Sequence, residues 1–126
     1  MMEEEVKKWI KKATSDLKHA KSSLKNKDFD WAQVASQQAA EKALKAVCIH
    51  KGIGLIKVHE LTILARKINA PNRIIEKCAL LNPFYTASRY PDVKEKTNKK
   101  LEETAAKDAI KAAEEIVKWC KELIKI

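Results

Sequence analysis

Two glycines and three prolines in 126 residues leave few of the residues from which tight turns are made. A fold with a hairpin at every strand end is therefore excluded, and with 45% apolar and 34% charged residues the composition points to helices. Cysteine is also scarce. Cys48, Cys78 and Cys120 are odd in number, widely spaced and without a C-x-x-C pair, which argues against a disulfide framework or a zinc site. Each lies in an apolar stretch, and reduced core thiols are expected. No run of about 18 consecutive apolar residues occurs, and the start, "MMEEEVKKWIKK", has acidic residues in place of a signal peptide. A soluble, cytoplasmic protein without a membrane span is expected. No P-loop, G-x-G-x-x-G or G-x-S-x-G motif occurs, and the histidines lack metal-ligand spacing. No cofactor or metal is expected.

What the chain does have is lysine. It carries 26 Lys+Arg against 17 Asp+Glu, a formal +9, and only Arg66, Arg73 and Arg89 are arginines. Such an excess favours anionic partners, although a lysine- and glutamate-rich surface also suits a heat-tolerant protein of the thermophile kind.

The apolar pattern is helical. Val6, Ile10, Ala13, Leu17, Ala20 and Leu24 recur in steps of three and four, predicting a helix over about 3–25. Asp28 and Asp30 are cap candidates for a second helix that runs to about Lys51, where Gly52 and Gly54 end it. A short third helix is expected over 60–68, and a fourth from about Arg73, with a kink or restart at Pro83. The fifth carries Leu101, Ala105, Ala109, Ala112, Ile116, Trp119 and Leu123 on one stripe. One domain over 1–126 follows, an all-α, antiparallel, up-and-down bundle of four to five helices.

The second helix contains an unexpected strip. Gln37, Glu41 and Lys45 stand at i, i+4 and i+8 on one face, and Gln38 and Lys42 form a row beside them. Two readings are open. The strip is an exposed, helix-stabilising ion pair with a helix-friendly glutamine, or it faces a cleft or partner where amides and carboxylates orient a ligand. Residues 84–92, "FYTASRYPD", offer the guanidinium of Arg89 for phosphate and the rings of Tyr85 and Tyr90 for a base; as structural residues, Phe84 and Tyr85 would fill the core, Tyr90 would cover the bundle end, and Arg89 would pair with Asp92 or a helix C-terminus. His59 in "VHEL" precedes the third helix and is placed to cap it or to hydrogen-bond across the bundle. His19 and His50, among lysines, read as surface residues.

Taken together, "WIKKA", "DLKHA", "DFDWAQVASQQAAEKALKAV", "HEL" and "YTASRYPD" resemble the HEPN domain family over essentially the whole chain. The resemblance implies a helical bundle, commonly a homodimer, and often a minimal nucleotidyltransferase partner in a pair of the toxin–antitoxin kind. Many HEPN proteins are metal-independent ribonucleases with an R-x(4-6)-H motif. This sequence departs from that motif: Arg89 is followed at 94–96 by Lys94, Glu95 and Lys96, Arg73 at 78–80 by Cys78, Ala79 and Leu80, and Arg66 at 71–73 by Pro71, Asn72 and Arg73.

The resulting expectation is a non-catalytic protein that binds a nucleotide or its nucleotidyltransferase through Gln37, Gln38, Glu41, Lys45, His59, Tyr85, Arg89, Tyr90 and Asp92. The alternatives are a ribonuclease in which Arg89 stabilises the phosphorane while His59 or Glu41 moves the proton, and a basic helical module that binds nucleic acid without specificity.

Overall fold

The computed structural model describes residues 2–87 and 99–126, with residues 2 and 83–87 described by their backbone alone. Five helices follow in order: α1 (Met2–Lys25), α2 (Phe29–His50), α3 (Leu61–Lys67), α4 (Asn72–Ala87) and α5 (Lys99–Ile124). No strand occurs among the described residues.

Helix α2 is the centre of the bundle and packs against all four others, most extensively α1 and α5. Its composition is the reason. Ala39, Ala40, Ala43 and Ala46 are buried on several sides of the helix, and side chains this small let neighbouring backbones approach, while Leu44, Val47, Cys48 and Ile49 fill the layers between them. Against this axis α1 lays Val6, Ile10, Ala13 and Ala20, and α5 lays Ala109, Ala112, Ala113, Ile116, Val117 and Cys120. A smaller cluster of Ala20, Phe29, Ala32, Ala106 and Ile110 closes the end where α1 turns into α2. The stripe on α5 starts later than its spacing implies. Leu101 lies in the first turn, is 59% exposed and falls outside both buried clusters.

The turns use Asp28 and Gly52, which the sequence marked, and Lys27, which it did not. Lys27 takes a positive φ of 62° between α1 and α2. Asp28 occupies the N-cap of α2, yet makes no side-chain capping bond. At the other end Gly52 sits at φ 79° and donates its N–H to the Ile49 carbonyl, a left-handed stop that a side chain would strain. Helix α4 continues past Pro83 to Ala87 without restarting. Pro83 cannot donate to the Ala79 carbonyl one turn earlier, so the helix runs on with that one bond missing.

The three cysteines are free and buried. Burial pushes the Cys78 thiol up to about 12, and it raises Cys120 and Cys48 as well, with Lys67 and Lys45 opposing the rise at Cys48. No described helix is long and apolar enough to cross a membrane.

Candidate binding site

The strip on α2 faces inward. Gln37 is fully buried, and Glu41 and Lys45 are 9% and 6% exposed, so the exposed-ion-pair reading of these three residues is overturned. The i, i+4 spacing is common to both environments; what distinguishes this face is tertiary, since His59 of the loop between α2 and α3 bonds to Gln37 and Glu41, and Trp9 of α1 stands by Lys45.

The four groups form one network centred on a carboxylate. Glu41 Oε2 lies 2.9 Å from Lys45 Nζ and 2.9 Å from His59 Nδ1. Gln37 Nε2 donates long bonds of 3.4 Å to Glu41 Oε1 and 3.4 Å to the His59 carbonyl oxygen. Both partners are acceptors, which fixes the orientation of the amide. An ionised carboxylate can only accept, so His59 carries its proton on Nδ1 in this arrangement. Among the described residues, the Gln37 carbonyl oxygen, Oε1, is then left buried with no hydrogen-bond donor. The His59 side chain, 57% exposed, connects the network to the surface.

An arrangement of this kind is costly unless used. A buried pair such as Glu41–Lys45 gains little over apolar residues of the same shape, and an unsatisfied buried acceptor costs about 1–3 kcal/mol. Chemically, the cluster presents one imidazole to solvent, backed by a carboxylate, an ammonium and an acceptor that lacks a donor.

Gln38 does not join this group. One residue further round α2, it faces α1 and lines a surface hollow with Asp16, His19, Ser23 and Trp31. Lys42, in the same row, pairs with Asp16 of α1. The two rows read as one site in the sequence are two separate surfaces. The side chain of Tyr85, and Arg89, Tyr90 and Asp92 entirely, lie outside the described residues. His19 and His50 are exposed, as expected.

Two neighbours of the site carry no local signal in the sequence. Asn82 of α4 accepts the Leu61 N–H at 2.8 Å, so this distant asparagine satisfies the first turn of α3, the role assigned to His59 as a cap. Its amide also donates to Thr62 Oγ1 at 3.3 Å. Trp9 of α1 receives the Lys45 ammonium at 5.9 Å from its ring centroid, which ties the buried pair to the outer helix. Only a tertiary fold brings either residue to the site.

A bundle of five helices with a polar seam on its central helix defines the class, and comparison with known proteins specifies it. The HEPN domain family matches residues 6–123. The structure of ST0689, an archaeal HEPN homologue, is 34% identical, superimposes with a TM-score of 0.80, and is matched over 94% of this chain and 97% of its own. The protein TT1696 of Thermus thermophilus is 28% identical with a TM-score of 0.82, over 93% and 96% of the two chains. A HEPN domain protein from Thermotoga maritima, tm0613, shares the fold at 24% identity and a TM-score of 0.79, over 93% and 97%. No curated protein matches the chain. The chain belongs to the HEPN domain family.

Proposed function

We propose that this HEPN protein binds a nucleotide, or the minimal nucleotidyltransferase that uses one, at the cluster of Gln37, Glu41, Lys45 and His59. In this reading it acts in the cytoplasm as a homodimer or as half of a toxin–antitoxin-like pair, with Arg89, Tyr90, Asp92 and Tyr85 contributing to recognition. The observation that carries the reading is the buried Gln37 carbonyl oxygen, which has no donor among the described residues. Nucleobases and protein backbones both supply the N–H it lacks, and His59, bonded to Glu41 in the same network, connects that network to the surface.

The test is a thermal-shift titration with nucleoside mono- and triphosphates. A ligand present at 100 times its Kd adds about 2.7 kcal/mol to folding. For a domain of this size that is on the order of 10 °C in Tm. The expected result is a shift with the wild type that Arg89→Ala or His59→Ala removes. If no nucleotide shifts the protein and a co-expressed nucleotidyltransferase does not co-purify with it, the reading is wrong.

One distance favours a second reading. A carboxylate at 2.9 Å from Nδ1 of a surface histidine is the geometry of an oriented general base, which typically contributes ~10²–10⁴-fold in rate. In a ribonuclease with this rearranged chemistry, the purified protein cleaves RNA without added metal, and His59→Ala loses that cleavage by the same factor. Intact RNA after long incubation removes this reading.

A further inference from the structure

The hollow that Gln38 lines is built by both helices of the α1–α2 hairpin. Asp16, His19 and Ser23 stand at i, i+3 and i+7 on α1, and Trp31, Val34, Ala35 and Gln38 at i, i+3, i+4 and i+7 on α2, so each helix turns one face to the space between them. Val34 is buried and Ala35 half-buried, which gives the hollow an apolar floor. Trp31 stands beside it, 62% exposed, the most exposed large apolar side chain among the described residues. None of these residues belongs to the network of Gln37, Glu41, Lys45 and His59.

The polar groups around the hollow are available to a ligand. Among the described residues, the side chains of His19, Ser23 and Gln38 make no hydrogen bond or ion pair, and each can both donate and accept. Asp16, the one carboxylate lining the space, already holds the Lys42 ammonium. Apart from the His19 imidazole, no charged side chain without a counter-ion lines it, so nothing there selects an ion. The volume is ≈ 250 Å³, below the roughly 300–1,000 Å³ of sites for drug-sized ligands. What fits is small and neutral, with an apolar face for the indole and an edge of groups that donate and accept. A sugar ring has this form: its C–H bonds make a face of the ring apolar, and hydroxyls surround it.

We propose that the α1–α2 hairpin carries a site for one neutral sugar ring, a pyranose stacked on Trp31 over Val34 and Ala35, with its hydroxyls bonded by Gln38, His19 and Ser23. This inference is independent of the site at Gln37 and His59, since it uses the other row of α2 and a different class of ligand.

The experiment is saturation-transfer-difference NMR on the full chain with the methyl pyranosides of glucose, galactose, mannose and N-acetylglucosamine as probes and uridine as a comparator. At least one glycoside is expected to receive saturation on its ring C–H protons. Trp31→Ala, an exposed change that leaves the helical circular dichroism intact, weakens the binding of that glycoside by about ten-fold, and Trp31→Phe, which keeps an aromatic face, restores most of it. Gln38→Ala costs about five-fold, the scale of a hydrogen bond or two. The control, His50→Ala, changes an exposed residue at the other end of α2 and leaves the affinity unchanged. No saturation of any glycoside, or saturation that ignores both Trp31→Ala and Gln38→Ala, overturns the proposal. So does uridine that binds more tightly than every glycoside, which makes the hollow a site for a flat base. Because Gln37, His59 and Arg89 are untouched, the nucleotide thermal shift survives these variants whether or not the hollow takes a sugar, and each reading fails on its own.

Discussion

His59 Nδ1 stands 2.9 Å from Glu41 Oε2, the oxygen that also binds the Lys45 ammonium at 2.9 Å. One carboxylate oxygen therefore holds an interior cation and an exposed ring at once. This arrangement connects the centre of α2 to the protein surface, and most of the expected behaviour of the molecule follows from it.

Removing the carboxylate strands a buried charge. Glu41→Ala leaves Lys45 in an interior with no counter-ion, and a loss of about 3–5 kcal/mol in urea unfolding is expected. The double variant Glu41→Leu with Lys45→Met replaces charge by shape and should lose far less, with a coupling of opposite sign between the two changes. Additive losses in the double-mutant cycle would mean that the pair does not interact.

Gln37→Met removes an amide whose oxygen has no partner among the described residues and whose donated bonds are long. Deleting an unsatisfied acceptor relieves its desolvation cost, so Tm is expected to stay level or rise. A drop of several degrees would show that the Gln37 donors matter more to folding than the orphan acceptor costs.

Leu44 is fully buried at the centre of the bundle, on the helix that every other helix packs against. Leu44→Ala is expected to destabilise by about 2–5 kcal/mol through lost transfer energy and the cavity left behind. Leu101→Ala, on an exposed side chain of the same type, should cost under about 0.5 kcal/mol.

Alkaline pH acts through the thiols. Burial raises the Cys78 pKa from 9.0 to about 12, so between these values the unfolded chain has released a proton that the folded chain retains. Stability is full below pH 9 and falls as pH rises towards 12, by up to about 1.4 kcal/mol per pH unit for each thiol in this position. Denaturation midpoints at pH 8, 9 and 10 measure it, and Cys78→Ala should flatten the slope. At pH 8 a thiol reagent should label the folded protein only as fast as it unfolds.

Much of the fold is legible in the sequence because it depends on period. The repeat of Val6, Ile10 and Ala13, and that of Ala109, Ala112 and Ile116, can satisfy only a helix with one buried side, and Gly52 must end α2 where a positive φ is needed. The shared face of Gln37, Glu41 and Lys45 is legible for the same reason. Burial of that face is not, since spacing is identical on a surface helix and a central one, and the residue that bonds to it, His59, lies 18 positions away from Glu41. Gln38 shows the limit of the method. A turn of one residue along α2 carries it from the His59 side to the α1 side, and only the positions of both neighbours show that the rows part. Asn82 reaches the start of α3 through tertiary packing, which no local pattern encodes.

The measurement that bears most directly on the proposed site is isothermal titration of wild type and Gln37→Met with the nucleotide giving the largest thermal shift. The account predicts saturable binding to the wild type, with a loss of at least ten-fold in the variant while its fold and Tm are kept. Equal affinity for both proteins would contradict it and leave the polar cluster of α2 as a structural feature of the bundle.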